Sequence, residues 1–443
     1  MPLGATRDSA GDVRVVKIGQ NFLDLGSVGS WNASMSAPSY FRIGAVAATA
    51  VFAFSCATTI AQTTNVIFSF EEDEGEYADT DLETDSAGNI YGTTVLGGEA
   101  GGGTVFKLSP TVNGWKHEII YSFTGGADGG EPYKGVTLDR AGNLYGTAVT
   151  GGSGSCEGGC GVAYKLTNIG GTWTQSVIHA FTGGDDGSGP GARLTVDRKG
   201  NVYGMAPTGG AYGLGTIYKI RPLHNGTWNF QVIHAFTGGV DGGTGSAGRM
   251  IVRKGHLFGA ATTGGTYGSG VIFDLAPRGM GEWRFETIYS FRGQPDGSFP
   301  YGALLFDPSG NIYGTTYYGG ENNVGSVYKL SPRHHGEWAE NILYSFQEGS
   351  DGSYPISNLV FGGVGNVNLY GTTSEGGSGS GTIFKLTPVG NGDWNETVVH
   401  TFKGPPDGAF AYNGMVIDRS GNFYGATVHG GDDDDGSIYQ FTP

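Results

Sequence analysis

The residues of this chain best suited to chemistry are carboxylates and tyrosines that recur at fixed spacing. Asp-Gly pairs place Asp128, Asp186, Asp241, Asp296, Asp351 and Asp407 roughly 55 residues apart. An aspartate before glycine is first a turn-former, because its side chain accepts hydrogen bonds from nearby backbone N–H groups while glycine takes the positive φ. The functional alternative is a ring of carboxylates around one mouth of a channel. Just downstream lie Tyr133, Tyr301 and Tyr412, and a second set comprises Tyr212, Tyr267, Tyr317, Tyr318 and His429. An apolar ring with a polar tip suits contact with a sugar or a peptide; packing around a rim is the competing reading. His179, His234 and His400 alternate with Tyr121, Tyr289 and Tyr344 at one repeat position, which marks a structural role rather than a catalytic one. No Gly-x-Ser-x-Gly nucleophile elbow, His-Glu-x-x-His zinc motif or phosphate loop occurs.

Two acidic runs interrupt the regular pattern, Glu71-Glu72-Asp73-Glu74 and Asp432-Asp433-Asp434-Asp435. Like charges brought together repel, and a hard cation relieves the repulsion, since calcium takes six to eight oxygen ligands in flexible loops. Calcium is thus the one cofactor to consider, although the spacing is not that of an EF-hand; two solvated acidic loops are the other reading. Cys156 and Cys160 share one Gly-rich loop and are expected to form a disulfide in an oxidising compartment.

The elements that must position these groups are read from three recurring phrases. Gly-Asn-Leu-Tyr-Gly-Thr at 142–147 returns at 88–93, 200–205, 310–315 and 421–426, with looser copies at 255–260 and 368–373. Gly-Thr-Val-Phe-Lys-Leu at 103–108 has its own copy in each repeat, and Trp followed eight residues later by Phe runs from Trp115/Phe123 to Trp394/Phe402. Alternating apolar residues bounded by Gly, Asn and Asp read as strands and turns. In the second repeat the strands fall at 135–139, 143–148, 161–166 and 173–181. The tryptophans, spaced by the repeat, are expected to pack between units. Four-stranded units that cannot bury both faces alone must stack, and seven of them around a channel make an all-β, seven-bladed β-propeller. Residues 62–443 divide by seven into about 55 each. The segment from Gln62 reads as a fourth strand, and the chain stops just past a third. The N-terminal strand is therefore expected to complete the last blade and remove the exposed edges. Closure also brings the two acidic runs to one seam.

Bulk properties narrow the partners. Formal net charge is −16, with only 15% charged residues and 85 glycines in 443. That excess of negative charge disfavours nucleic acid and anionic membranes. Residues 35–61 have the form of a secretory signal, with an apolar run over 43–54 and small residues after it. Residues 1–34 read as a mis-assigned start or a disordered extension. Cys56 raises lipid attachment as a minor alternative.

The phrases Asp-x-x-Gly-Asn-Leu-Tyr-Gly-Thr and Gly-Gly-x-x-x-Gly-Thr-Val-Phe-Lys-Leu, with Asp-Gly followed by Pro or an aromatic, resemble the GloVer-type (Gloeobacter/Verrucomicrobia) tandem repeat of bacterial extracellular proteins. The resemblance covers about 62–443 and implies an exported repeat protein, secreted, periplasmic or at the cell surface of a bacterium. It carries no catalytic residues over to this chain. The expected function is a non-enzymatic binding module, monomeric, using its loop face on an extracellular glycan, peptide or protein. The alternative is a secreted propeller enzyme, a lyase or hydrolase acting on a polysaccharide or cyclic compound.

Overall fold

A computed structural model describes residues 62–443 apart from 246, 247, 364 and 366. The expected extension at 1–34, the expected export signal at 35–61 and Cys56 lie outside the described residues. The chain forms seven antiparallel sheets arranged as a seven-bladed propeller. In blade 1 the strands run from the axis outward as Glu83–Thr84, Ile90–Thr94, Thr104–Thr111 and Gly114–Ser122. Blades 2 to 6 follow in chain order, with innermost strands at Thr137–Leu138, Thr195–Val196, Ile251–Arg253, Leu305–Phe306 and Val360–Gly362. The innermost strands are shorter than the sequence pattern suggests, two or three residues each. Blades 4 and 5 gain a further inner segment, Gly243–Gly245 and Gly297–Pro300, paired to the same second strand.

Blade 7 takes Val416–Ile417, Phe423–Thr427 and Ser437–Thr442 from the C-terminus and Thr63–Ser69 from the N-terminus. The clasp strand pairs antiparallel from Thr63↔Thr442 to Ser69↔Ser437, with one bulge between Val66 and Phe68. This pairing closes the ring. Across the seam Phe70, Tyr424 and Ile438 of blade 7 bury against Leu82, Ile90, Phe106 and Leu108 of blade 1. The other junctions are built alike, as where Tyr91 and Val105 of blade 1 meet Val136, Leu144 and Tyr164 of blade 2. The core is thus a series of layers between blades rather than one centre, which is how stacked sheets bury both faces.

The repeated phrases have physical causes. The glycine of Tyr-Gly-Thr lies opposite the aromatic of the third strand: Gly146 pairs with Tyr164, and a Cβ on Gly146 would lie 2.3 Å from the tyrosine oxygen. The Asp turn is equally specific. Asp139 accepts from the N–H groups of Ala141 and Asn143 at 2.8 and 2.9 Å, from the Asn143 amide at 2.8 Å and from the Tyr145 hydroxyl at 3.2 Å. Asp85, Asp197, Asp307 and Asp418 repeat the arrangement. The tryptophans pack between blades as their spacing suggests: Trp115 meets Tyr424, Trp228 meets Tyr145 and Trp283 meets Tyr203, all edge to face.

Candidate functional site

Each chain segment that enters an innermost strand passes through the left-handed region at an equivalent residue. These are Tyr77, Glu131, Gly189, Thr244, Phe299, Tyr354 and Phe410, with φ between 52° and 60°. A non-glycine residue there costs about 1 kcal/mol or more. The conformation aims each N–H at a loop of the preceding blade. Glu131 donates to Gly102, Gly189 to Cys160, Thr244 to Leu214, Phe299 to Ser269, Tyr354 to Val324 and Phe410 to Ser380, at 2.8 to 3.0 Å. Tyr77 donates to Asp435 at 2.8 Å, so the closing seam uses the same link. These left-handed residues thus fix one rim of the ring, the loop face.

Two residues further on, the chain turns toward the axis, and here the repeats stop agreeing. Aligned on the buried apolar residue of the innermost strand (Leu82, Val136, Leu194, Met250, Leu304, Leu359, Met415), the preceding residues are Asp81, Gly135, Arg193, Arg249, Ala303, Asn358 and Gly414. Blade 1 sends three alternating carboxylates, Asp79, Asp81 and Glu83, and other blades answer them. Asp79 is paired with Lys134 of blade 2 and accepts from Asn413 of blade 7 at 2.8 Å, while Lys134 also donates to Asn413 at 3.0 Å. Asp81 accepts from Asn358 of blade 6 at 2.9 Å. Glu83 pairs with Arg193 of blade 3, and Arg249 of blade 4 approaches it to 4.0 Å. Arg193 also donates to the Leu82 carbonyl at 3.2 Å and the Thr137 hydroxyl at 3.3 Å.

Burial shapes the charges of this spine. Burial opposes the charge of Lys134, yet Asp79, Tyr301 and Asp81 outweigh it and hold its pKa above the ordinary lysine value. Arg249 is pushed down to about 10 by burial and by neighbouring Arg193. Buried charges are tolerated when paired and hydrogen-bonded; Lys134 with Asp79 and Arg193 with Glu83 meet that condition, Asp81 is held by the neutral Asn358 amide, and the Arg249 Nε has no hydrogen-bond partner among the described residues.

The spine occupies the axis, and the open space lies beside it. A hollow of about 400 Å³ opens at the entrances to the innermost strands, floored by Ala192 and Met205 and walled by Tyr133, Tyr301, Glu131 and Asp79. It exists because blades 3 and 4 lack side chains that other blades carry. Gly189 stands where Tyr77, Phe299, Tyr354 and Phe410 stand, and Thr244 is the blade 4 counterpart. Gly191 stands where Tyr133, Tyr301 and Tyr412 stand. Missing aromatics on one side of a ring of aromatics leave a concave, largely apolar site with a few polar groups, the usual form of a ligand pocket.

The expected site residues are distributed unevenly over this geometry. Tyr133 and Tyr301 line the hollow, while Tyr412 borders a narrow gap near Lys134, Asp81 and Asn413. Tyr212 and Tyr267 are more than half exposed, and the Arg292 guanidinium lies 5.5 Å over the Tyr267 ring. Tyr317 and Tyr318 pack with each other and with Tyr354, at centroid distances of 4.6 to 5.7 Å. His429 packs edge to face on Tyr77 and Phe410.

The Asp-Gly aspartates cap their own turns. Asp128 accepts from the Tyr121 hydroxyl at 2.9 Å and the Thr124 N–H at 3.0 Å. Asp296 and Asp351 do the same with Tyr289 and Tyr344. Asp186, Asp241 and Asp407 bond His179, His234 and His400 in the tyrosine's place, at 3.0 to 3.2 Å. Burial lowers the pKa of all three histidines.

The acidic runs do share a seam. Burial, then Asp435 and Glu72, raise the pKa of Glu76; burial, then Asp433 and Glu72, raise that of Asp435. Their members nevertheless go separate ways: Glu74 lies 3.4 Å from His117 Nδ1, Asp434 accepts from the Gly430 N–H at 2.7 Å, and Glu71 offers its backbone carbonyl to Gly75. Among the described residues no group of three or more His, Cys, Asp or Glu is arranged to hold a metal ion. Cys156 and Cys160 are joined by a disulfide with Cα atoms 5.1 Å apart. The Cys160 carbonyl holds Gly189, so the bridge braces the rim of the hollow.

Sequence reasoning missed Asp79, Asp81, Glu83, Lys134, Arg193, Arg249, Asn358 and Asn413. The signal was available as disagreement: aligned repeats that match elsewhere differ in charge at one position facing the axis.

Comparison with known proteins gives the family. Similar solved structures include a protein of unknown function from Dyadobacter fermentans, 12% identical, covering 75% of this chain and 96% of that one, with a TM-score of 0.43. A protein from Lactobacillus plantarum is 14% identical, covering 83% and 89%, with a TM-score of 0.45. A putative oxidoreductase (glucose dehydrogenase) from Thermus thermophilus is 15% identical, covering 69% and 95%, with a TM-score of 0.39. No curated protein matches the chain. The Gloeobacter/Verrucomicrobia repeat matches residues 42–249, 198–390 and 246–443 in three overlapping stretches. With its phrases repeated around all seven blades, the chain belongs to the Gloeobacter/Verrucomicrobia repeat family.

Proposed function

We propose that this protein is an exported, non-enzymatic binding module that takes an extracellular ligand at the off-axis hollow of its loop face. The observation that carries this reading is the local loss of aromatic side chains at Gly189 and Gly191, which opens a concavity between Tyr133 and Tyr301. Loops on a rigid scaffold are the usual seat of recognition. The axis itself offers little room, because its charged groups answer one another.

Gly191→Tyr is the natural test. Gly191 has no positive φ, and a Cβ there meets Val149 and the Gly189 carbonyl at 3.7 and 3.8 Å, ordinary contact distances. The variant restores the residue that three other blades carry and fills the hollow. Wild type and variant, each with the same melting temperature, are to be applied to glycan and peptide arrays. The reading expects a binding signal that Gly191→Tyr abolishes; an unchanged binding profile would refute it.

A further inference from the structure

We propose that the hollow selects an organic cation, a protonated amine carried on an apolar stem, such as a lysine side chain. This rests on the hollow being the ligand site. Asp79 and Glu131, the two carboxylate residues of its lining, stand with Tyr133 and Tyr301 around it. Its floor, Val149, Ala192 and Met205, is apolar. Among the described residues the one cation lining it is Lys134, which is buried and bonded to Asp79 and Asn413. The local charge is therefore one carboxylate in excess. Burial, then Asp79 and Glu131, push the ionisation of Tyr133 upward, as a negative potential requires.

These features discriminate among ligands. An anion meets two carboxylates and no free cation. A neutral polyol gains hydrogen bonds from the carboxylates but leaves their charge uncompensated. An amine gains a charge-assisted hydrogen bond from a carboxylate, and it is attracted to the faces of tyrosine rings as well. Its methylene stem matches the apolar floor. The chain's formal net charge of −16 also raises the encounter rate with cations.

The test compares Nα-acetyl-lysine N-methylamide with the norleucine and glutamate counterparts by calorimetry on the full-length protein at low ionic strength. The lysine probe should bind about tenfold tighter than the norleucine probe, as one charge-assisted contact implies. Glu131→Gln should remove most of that preference, and Gly191→Tyr should remove binding of both. Equal affinity for the lysine and norleucine probes, tighter binding of the glutamate probe, no saturable binding of the lysine probe, or a preference untouched by Glu131→Gln overturns the inference. The underlying reading fails separately: if Gly191→Tyr binds every probe as wild type does, the hollow is not the site, whereas norleucine binding that Gly191→Tyr abolishes keeps the hollow and rejects only the cation.

Discussion

Arg193 and Glu83 meet across the axis although 110 residues separate them in the chain. The guanidinium of the third blade binds the Thr137 hydroxyl of the second and reaches the first, where it also binds the Leu82 carbonyl. Such a pair ties non-adjacent blades together, so its loss should be felt in global stability. Removing one partner of a buried pair costs about 3 kcal/mol or more because the other charge is left unpaired. Arg193→Leu should therefore lower the urea-unfolding free energy by about that amount, and adding Glu83→Gln should restore a good part of it. A double variant as unstable as the sum of the single ones would show that the two residues act independently.

The clasp makes a second prediction. Without Gln62–Phe70 the edge at Ser437–Thr442 loses its partner, and Phe70 leaves the seam it shares with Leu82 and Phe106. An unpaired edge strand invites association. The truncated chain should melt well below the intact one and elute as oligomers in size-exclusion chromatography; an unchanged melting temperature with a monomeric profile would contradict a closed ring held by this strand.

Removing the disulfide should act locally. Cys156 and Cys160 close a very short loop, so on the chain-entropy view the bridge stabilises by no more than about 2 kcal/mol. The sharper consequence lies at Gly189, whose N–H is held by the Cys160 carbonyl. Hydrogen exchange at Gly189 should speed up in Cys156→Ser/Cys160→Ser, while the inner-strand amides of blades 5 to 7 keep their wild-type rates.

Stability should also depend on pH through two glutamates between blades. Burial raises Glu340 to about 7, helped by Asp296, and raises Glu396 to about 7, helped by Asp351. The Oε1 atom of each is buried without a hydrogen-bond partner among the described residues. Both groups are protonated more readily folded than unfolded, so their contribution is intact below the ordinary glutamate pKa and is lost as pH rises through about 7. Gln175 occupies the same position in blade 2 and donates to the Asp128 carbonyl at 3.1 Å. Glu340→Gln/Glu396→Gln should raise the melting temperature at pH 8 more than at pH 5; an equal change at both would remove these residues as the cause.

The sequence exposed what depends on local pattern. Strand alternation, the Asp139-type turn and the Trp–Phe spacing each follow from contacts within a repeat or with its neighbour, so they recur and are readable. Closure was readable too, because the repeat was cut at Gln62 and Phe441 in complementary places. The site was less so. Tyr133 and Tyr301 stood out as aromatics, but the hollow between them is made by residues that are missing, Gly189 and Gly191, and a glycine in a chain with 85 of them draws no notice. The spine depends on contacts across the ring, such as Lys134 with Asn413 at a separation of 279 residues, and these leave no periodic trace. Each Asp-Gly aspartate is engaged by its own turn, as the turn-forming reading of that pair expects.

The most direct measurement of the central claim is a crystallographic fragment screen on wild type and Gly191→Tyr. The account predicts that fragments in the wild type cluster in the hollow between Tyr133 and Tyr301, and that this cluster vanishes in the variant while the backbone stays in place. Fragments gathered instead on exposed Tyr212 and Tyr267, or equal occupancy of the hollow region in both proteins, would contradict it.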